Sequence, residues 1–184
     1  MADKLHSGQL VLMMKNSATR EQGFRMLMSQ YGRSLYWHIR RIVVSHDDAE
    51  DALQETSIKI FENIQNFKGE SQLSTWLYRV ATNEALKQLR SHTGIFQSID
   101  SLGEQLTDRL MTETSLDGND AELLMQKALL TLPTQQRIAF NLRYYDELPY
   151  EEIATITGKN VGTLKTNYHI AKQKITDYIK QHSA

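Results

Sequence analysis

FKGESQLSTWLYRVATNEALKQLR, residues 67–90, is the stretch from which the rest of the chain is read. Gly69 interrupts what precedes it, and Ser74 or Thr75 stands where a helix N-cap belongs. From there the spacing predicts a helix, which at about 100° per residue divides into two faces. Leu77, Ala81, Ala85, Gln88 and Leu89 fall on or beside a mainly apolar face. Trp76, Arg79, Asn83, Lys87 and Arg90 fall on the other: three cations, an amide and one large aromatic, with no acid among them. Phosphates call for cations, base edges for a hydrogen-bonding side chain, and an unstacked base for a flat surface. A solvated basic helix face with a Trp half-buried at its end would look much the same, so the stripe alone leaves both readings open.

The surrounding composition narrows them. The chain has 184 residues, 40% of them hydrophobic, enough for two small helical bundles rather than one large core. It has no Cys and only two Pro. A disulfide framework and a thiolate metal site are therefore excluded, as suits a reducing cytoplasm. The polar start MADKLHSGQ and the brief apolar run Leu10–Met14 are too short for a signal or a membrane span. The formal net charge of −1 conceals a pattern: +2 over residues 1–92, −6 over 93–124 and +3 over 125–184. Two mildly basic ends flank an acidic middle, and a polyanion would favour the ends and avoid the middle.

Long helical periods predict an all-α protein of two small domains: residues 1–92, a flexible acidic linker over 93–119, and residues 120–184. In the first domain a short helix is expected at Gln9–Lys15. A long one follows over residues 19–44, with Thr19 and Gln22 as a capping box and a break near Gly32. The third, Asp48–Gln65, turns Ala49, Ala52, Leu53, Thr56, Ile60 and Ile64 one way and Asp51, Glu55, Ile58 and Glu62 the other. Asp47, Asp48, Glu50, Asp51 and Glu55 resemble a metal cluster at first sight, but they radiate around the helix start. Capping and dipole complementation explain Asp47 and Asp48, and the opposite face suits docking of a basic partner. Between His92 and Asn119 periodicity fades, with a short helix expected around Leu102–Met111.

The second domain is expected to hold a helix from Asp120 to Leu132 and another, opened by Pro133, over Thr134–Tyr145. A short helix, Tyr150–Thr157, then meets Gly158 and a longer helix. This is a helix-turn-helix pattern. In its second helix Leu164, Tyr168, Ala171, Ile175 and Tyr178 face inward. Lys165, Thr166, His169, Lys172 and Gln173 face outward, where they suit a DNA groove. An αα-hairpin unrelated to DNA has similar spacing.

With these residues in view, a family resemblance is plain. DDAEDALQETSIKIFENIQNFKGESQLSTWLYRVATNEALKQLR resembles region two of bacterial RNA polymerase sigma factors, closest to the small extracytoplasmic-function group. LPTQQRIAFNLRYYDELPYEEIATITGKNVGTLKTNYHIAKQKI resembles region four of the same group. The resemblance implies that Asp51, Gln54, Glu55 and Ile58 bind the clamp helices of core RNA polymerase. It implies that Phe67, Lys68, Gly69, Glu70 and Ser71 capture a flipped base of the downstream promoter element. Trp76, Arg79, Asn83, Lys87 and Arg90 would then approach the melting point. Lys165, Thr166 and His169 would read the upstream element, and Thr163 and Lys172 would hold phosphates. Asn167 and Ile170 depart from the Arg usual in the family. The family also implies an anti-sigma partner.

No catalytic constellation stands out: there is no phosphate loop, no nucleophile elbow and no metal-ligand His pair. Neither a cofactor nor a metal is expected. The reading is a non-enzymatic promoter-specificity subunit for core polymerase. One rival is a helix-turn-helix regulator acting without polymerase, which would need neither the acidic docking face nor the 67–90 stripe. The other is a metal-dependent nuclease built on the acidic cluster.

Overall fold

The computed structural model of the chain describes residues 6–91, 103–114 and 120–182. Among them the regular elements are all helical. The first four are α1 (Ser7–Lys15), α2 (Arg20–Val43), α3 (His46–Asn63, followed by a 3-10 turn at Ile64–Asn66) and α4 (Leu73–Ser91). The remaining five are α5 (Gly103–Thr114), α6 (Asp120–Leu130), α7 (Thr134–Tyr144), α8 (Tyr150–Thr157) and α9 (Val161–His182).

α2 is the axis of the amino-terminal bundle, with α1, α3 and α4 packed around it. Its Leu27, Leu35, Ile39 and Ile42 meet Ala49, Ala52 and Ile60 of α3 and Leu77, Ala81, Ala85 and Leu89 of α4 in one buried cluster. The break expected near Gly32 does not occur, and α2 runs on through it. A mid-helix glycine costs about 1 kcal/mol, which the apolar face on either side outweighs. Gly23 is needed for proximity: a Cβ there would come within 2.9 Å of Met13 Cβ and 3.0 Å of the Met14 backbone nitrogen. The Thr19 capping box also does not form. Thr19 makes no side-chain cap bond, because its hydroxyl donates back to Met13 O at 2.8 Å and closes the α1–α2 turn instead. Ser45 caps α3 as its position suggests, accepting from Asp48 N at 3.3 Å.

In the carboxy-terminal half, α6, α7 and α9 enclose Ala128, Leu129, Leu132, Phe140, Ala171 and Ile175. α8 and α9 form the helix-turn-helix. Gly158 takes the left-handed conformation, φ 69°, that ends α8, and a glycine adopts it without Cβ strain. Asn160 then caps α9, its Oδ1 accepting from Thr163 N at 2.8 Å.

The two halves are in contact. Ile138, Ala139, Leu142, Ile153, Ile156 and Leu164 join the apolar cluster of the amino-terminal bundle, α7 lies against α2, and α8 lies against α4. Part of the segment read as linker is the helix α5, which turns Leu106 and Leu110 into the same cluster. The rest of that segment, residues 93–102 and 115–119, lies outside the described residues. No helix among the described residues is long and apolar enough to cross a membrane.

Candidate nucleic-acid interface

Three solvent-facing surfaces carry the residues singled out from sequence. The first is on α3. Asp51, Gln54 and Glu55 are exposed, and Ile58, a large apolar residue, is 43% exposed. Asp48 leaves this acidic group. It is buried, accepting from Arg109 Nη1 at 2.7 Å and from Gln88 Nε2 at 3.1 Å. The acids therefore part into an outward set and an inward one, as carboxylates radiating around a helix start must.

The second surface is α4 with the loop before it. Lys68, Gly69 and Glu70 are exposed, and Phe67 and Ser71 are half-buried. Gly69 has φ 76°. Lys15 Nζ donates to Phe67 O at 2.7 Å and ties the start of the loop to α1. Arg79, Asn83, Lys87 and Arg90 line the wet face of α4 as expected. Lys87 also meets Glu84 Oε2 at 3.3 Å, so the stripe is less purely basic than its own residues suggest. Trp76 departs from the expectation: it is 9% exposed, its ring centroid 5.5 Å from that of Phe67. Burying an indole removes a large apolar surface from water. That gain outweighs its place on the polar side of the helical wheel, and the other helices give it cover that a wheel cannot display.

The third surface is α9. Thr163, Lys165, Thr166, His169, Lys172 and Gln173 are exposed, whereas Asn167 and Ile170 are half-buried. Lys165 Nζ sits 5.7 Å from the centre of the Tyr150 ring on α8. Thr166 spends its hydroxyl on Gly162 O at 3.1 Å.

Two family models match the chain: sigma-70 region 2 over residues 27–95 and sigma-70 region 4 over residues 122–175. The extracytoplasmic-function RNA polymerase sigma-E factor of Haemophilus influenzae is 30% identical over 169 residues, covering 87% of this chain and 89% of that protein. The chain belongs to the extracytoplasmic-function group of the sigma-70 family. A further relative, the sigma factor SigW of Bacillus subtilis, is 26% identical over 87% of this chain and 90% of its own length. The fold of this sigma factor is also that of CnrH solved with the cytosolic domain of CnrY (TM-score 0.71, 17% identity, 96% of this chain and 98% of that one). A second similar fold is that of Bartonella quintana RpoE solved with the anti-sigma factor NepR (TM-score 0.66, 24% identity, 85% and 96%). As a sigma factor the protein is a promoter-specificity subunit: it binds core RNA polymerase, recognises and melts promoter DNA and directs initiation.

One cluster of this sigma factor was not singled out from sequence. Asp146, just after α7, accepts from His38 Nδ1 at 2.8 Å and from Arg41 Nη1 at 3.1 Å, both on α2. His38 is fully buried, and its Nε2 lies 2.8 Å from Thr82 Oγ1 on α4. The Tyr78 hydroxyl also bonds Asp146, and burial, helped by the Asp146 charge, pushes its pKa well above the ordinary tyrosine value. Near by, Thr75 Oγ1 donates to Glu152 Oε2 of α8 at 2.8 Å. A lone His on one helix and an Asp 108 positions later share no sequence period, so pattern reading has no means of pairing them.

Proposed function

We propose that the sigma factor divides its work by surface. Asp51, Gln54, Glu55 and Ile58 dock on a basic, partly apolar surface of core polymerase. The loop Phe67–Ser71 takes the flipped base of the downstream element while Arg79, Asn83, Lys87 and Arg90 hold the strand beside it. Trp76, under Phe67, supports that loop and supplies its flat surface when the base arrives. Lys165, Thr166 and His169 read the upstream element between phosphates held by Thr163 and Lys172. Ile170, half-buried where the family usually has Arg, can touch a thymine methyl but cannot bind guanine or phosphate.

The observation that carries this reading is that an acidic-apolar strip, a basic strip and a basic recognition helix all face solvent on one chain. A regulator binding duplex DNA alone has no use for the first. Residues 1–92 and 120–184 act as the two DNA-contacting units, with 93–119 as the connector. The protein works in the cytoplasm, without cofactor and without catalysing a reaction itself. An anti-sigma partner like those of its structural relatives holds it until release.

Reconstitution with bacterial core polymerase tests the assignment. Wild type should give promoter-selective transcripts from a genomic fragment pool. Glu55→Arg should lose core binding by roughly one to two orders of magnitude, since it places a like charge against a cationic partner. A Glu55→Arg protein that binds core normally would remove α3 from the docking role.

A further inference from the structure

Trp37, on α2, stands in the open. It is 46% exposed, whereas Trp76, the other Trp of the chain, is buried. A single exposed apolar side chain needs no explanation, but the surroundings of this one do. On a helix, the surface neighbours of a residue are those three and four positions away. For Trp37 they are Arg33, Ser34, Arg40 and Arg41, three cations and a hydroxyl. No Asp or Glu occurs from Gln22 to His46, a run that holds four Arg. Apart from Arg41, which holds Asp146, these neighbours have no part in the surfaces described above.

The indole is also held in place. Tyr36 meets it edge-on, ring centroids 5.3 Å apart at 77°, and the Tyr36 hydroxyl lies 2.7 Å from His46 Nδ1 at the start of α3. An aromatic surface fixed in advance loses little freedom when something stacks on it. Arg33 and Ser34 are exposed and Arg40 is half-buried. Arg41 is already committed: its Nη1 donates to Asp146 Oδ1 at 3.1 Å, and its guanidinium lies over the Tyr145 ring, 4.4 Å from the centre. From Arg33 to Arg40 the face runs about 10 Å along the helix, with the indole near its middle.

The chemistry of the face decides what fits it. A docking helix needs several apolar anchors at helical spacing, and none of the four surface neighbours of Trp37 is apolar. A DNA duplex offers phosphates to the arginines, but its bases stack on one another and leave the indole idle. An unpaired strand offers both, a phosphate for a guanidinium and an open ring face for the indole. Such a strand is what a promoter-melting subunit produces. We propose that the Arg33–Trp37–Arg40 face of α2 is a second single-stranded DNA site, separate from α4. There Trp37 stacks on an unpaired base of the melted promoter, and the arginines hold the phosphates beside it. Every base has a ring face to offer, so the contact holds the strand without reading its sequence. The site rests on the chain's role in promoter melting, and not on the assignment of the 67–71 loop or of Trp76.

The face is open in the free chain, so anisotropy of a fluorescein-labelled oligothymidylate titrated with the full-length protein tests it directly. Trp37→Leu keeps apolar bulk but no ring, and should weaken binding roughly tenfold, the loss of one stacked base. Trp37→Phe should retain most of the affinity. Arg33→Gln should make the slope of log K against log salt shallower by about 0.7, one phosphate on a single strand. A blunt duplex should bind Trp37→Leu and wild type alike. With core polymerase, open promoter complexes of Trp37→Leu should dissociate several-fold faster than those of wild type. Circular dichroism checks the fold, and Arg33→Gln, at an exposed position, decides the matter should the Trp37 variants fold poorly. Equal affinity of wild type and folded Trp37→Leu for the oligothymidylate would overturn the proposal, as would an equal loss on the duplex. Displacement by polyglutamate as readily as by unlabelled oligothymidylate would give the face to an acidic protein, and tighter binding of oligouridylate would give it to RNA. Either result overturns the DNA assignment. Wild type that binds no core polymerase would remove the promoter role and the proposal with it, whereas the oligothymidylate titration needs no polymerase and fails or succeeds separately.

Discussion

Two interfaces in this molecule bury side chains in different ways. Inside the amino-terminal bundle α2, α3 and α4 meet through Leu27, Ile39, Ala52, Ile60, Leu77 and Ala81, all at most 1% exposed. Between the halves, at the seam where α7 and α8 meet α2 and α4, Ile138, Leu142, Ile153 and Ile156 extend that apolar cluster, and a carboxylate, an imidazole, a guanidinium and a phenol around Asp146 are added to it. Apolar contact is non-directional and grows with the area removed from water. Polar contact fixes one geometry but yields a net gain of only about 0.5–1.5 kcal/mol per hydrogen bond, because water offers nearly the same bonds. The bundle core therefore rests on buried area alone, and the seam adds to such area bonds that fix one geometry.

The hardest blow to that contrast is struck inside the bundle. Leu77→Ala removes a fully buried side chain and should lower unfolding free energy by about 2–5 kcal/mol, transfer and cavity terms together. Urea unfolding followed by circular dichroism would measure it. A loss under 1 kcal/mol would mean that the cluster relaxes around the gap and that the core is less close-packed than its burial implies.

A smaller effect is expected at the seam, and it carries a pH signature. Tyr78→Phe deletes one donor to the Asp146 carboxylate while leaving the ring against His38, whose centroid is 5.0 Å away. A hydrogen bond to a charged group is worth about 1.5–3 kcal/mol. The folded protein holds the Tyr78 proton more tightly than the unfolded chain does, first because of burial and then because of the Asp146 charge, with Arg41 pulling the other way. Its contribution is therefore complete below the ordinary tyrosine value of about 10 and is lost as pH rises from there through the raised folded value. Tyr145 is shifted in the same direction, chiefly by burial, and will remain in the variant. Wild type should lose stability on the alkaline side of pH 10 faster than Tyr78→Phe does. Parallel curves would mean that the Tyr78 hydroxyl is neither buried nor held against Asp146 in the folded protein.

The bundle and the seam differ also in how far sequence discloses them. Leu77, Ala81, Ala85 and Leu89 recur at helical steps, so their burial follows from period alone. The same holds for Leu164, Ala171 and Ile175 on α9, and for the outward Arg79, Asn83, Lys87, Lys165 and His169. Trp76 misled because a helical wheel knows only its own helix, and the cover over an indole comes from others. Asp48 reads in sequence as a capping acid, but its carboxylate turns inward to Gln88 and Arg109, which lie 40 and 61 positions away. His38, Asp146, Thr75 and Glu152 were out of reach for the same reason. Contacts between halves leave no period, and polar residues that become buried by tertiary packing look like surface residues in sequence.

Arg109 offers the finest probe of the contrast, because it joins a polar link and an apolar one on the same short helix. It is the sole cation between residues 93 and 124, and in α5 it reaches Asp48 while Leu106 and Leu110 enter the apolar cluster. The pair is partly wet, with side-chain exposures of 35% for Arg109 and 11% for Asp48, and Gln88 stays on the carboxylate when the guanidinium goes. Arg109→Ala should therefore cost less than about 1 kcal/mol and leave the urea midpoint nearly unmoved. Its effect should be local: faster hydrogen exchange at α5 amides, with α2 and α4 unchanged. Leu106→Ala should loosen α5 more, since it removes an apolar anchor rather than a solvent-screened charge. If Arg109→Ala instead frees α5 as fully as Leu106→Ala does, the polar link is the one that holds the connector down. The seam would then extend beyond Asp146 and Glu152 to the acidic middle of the chain.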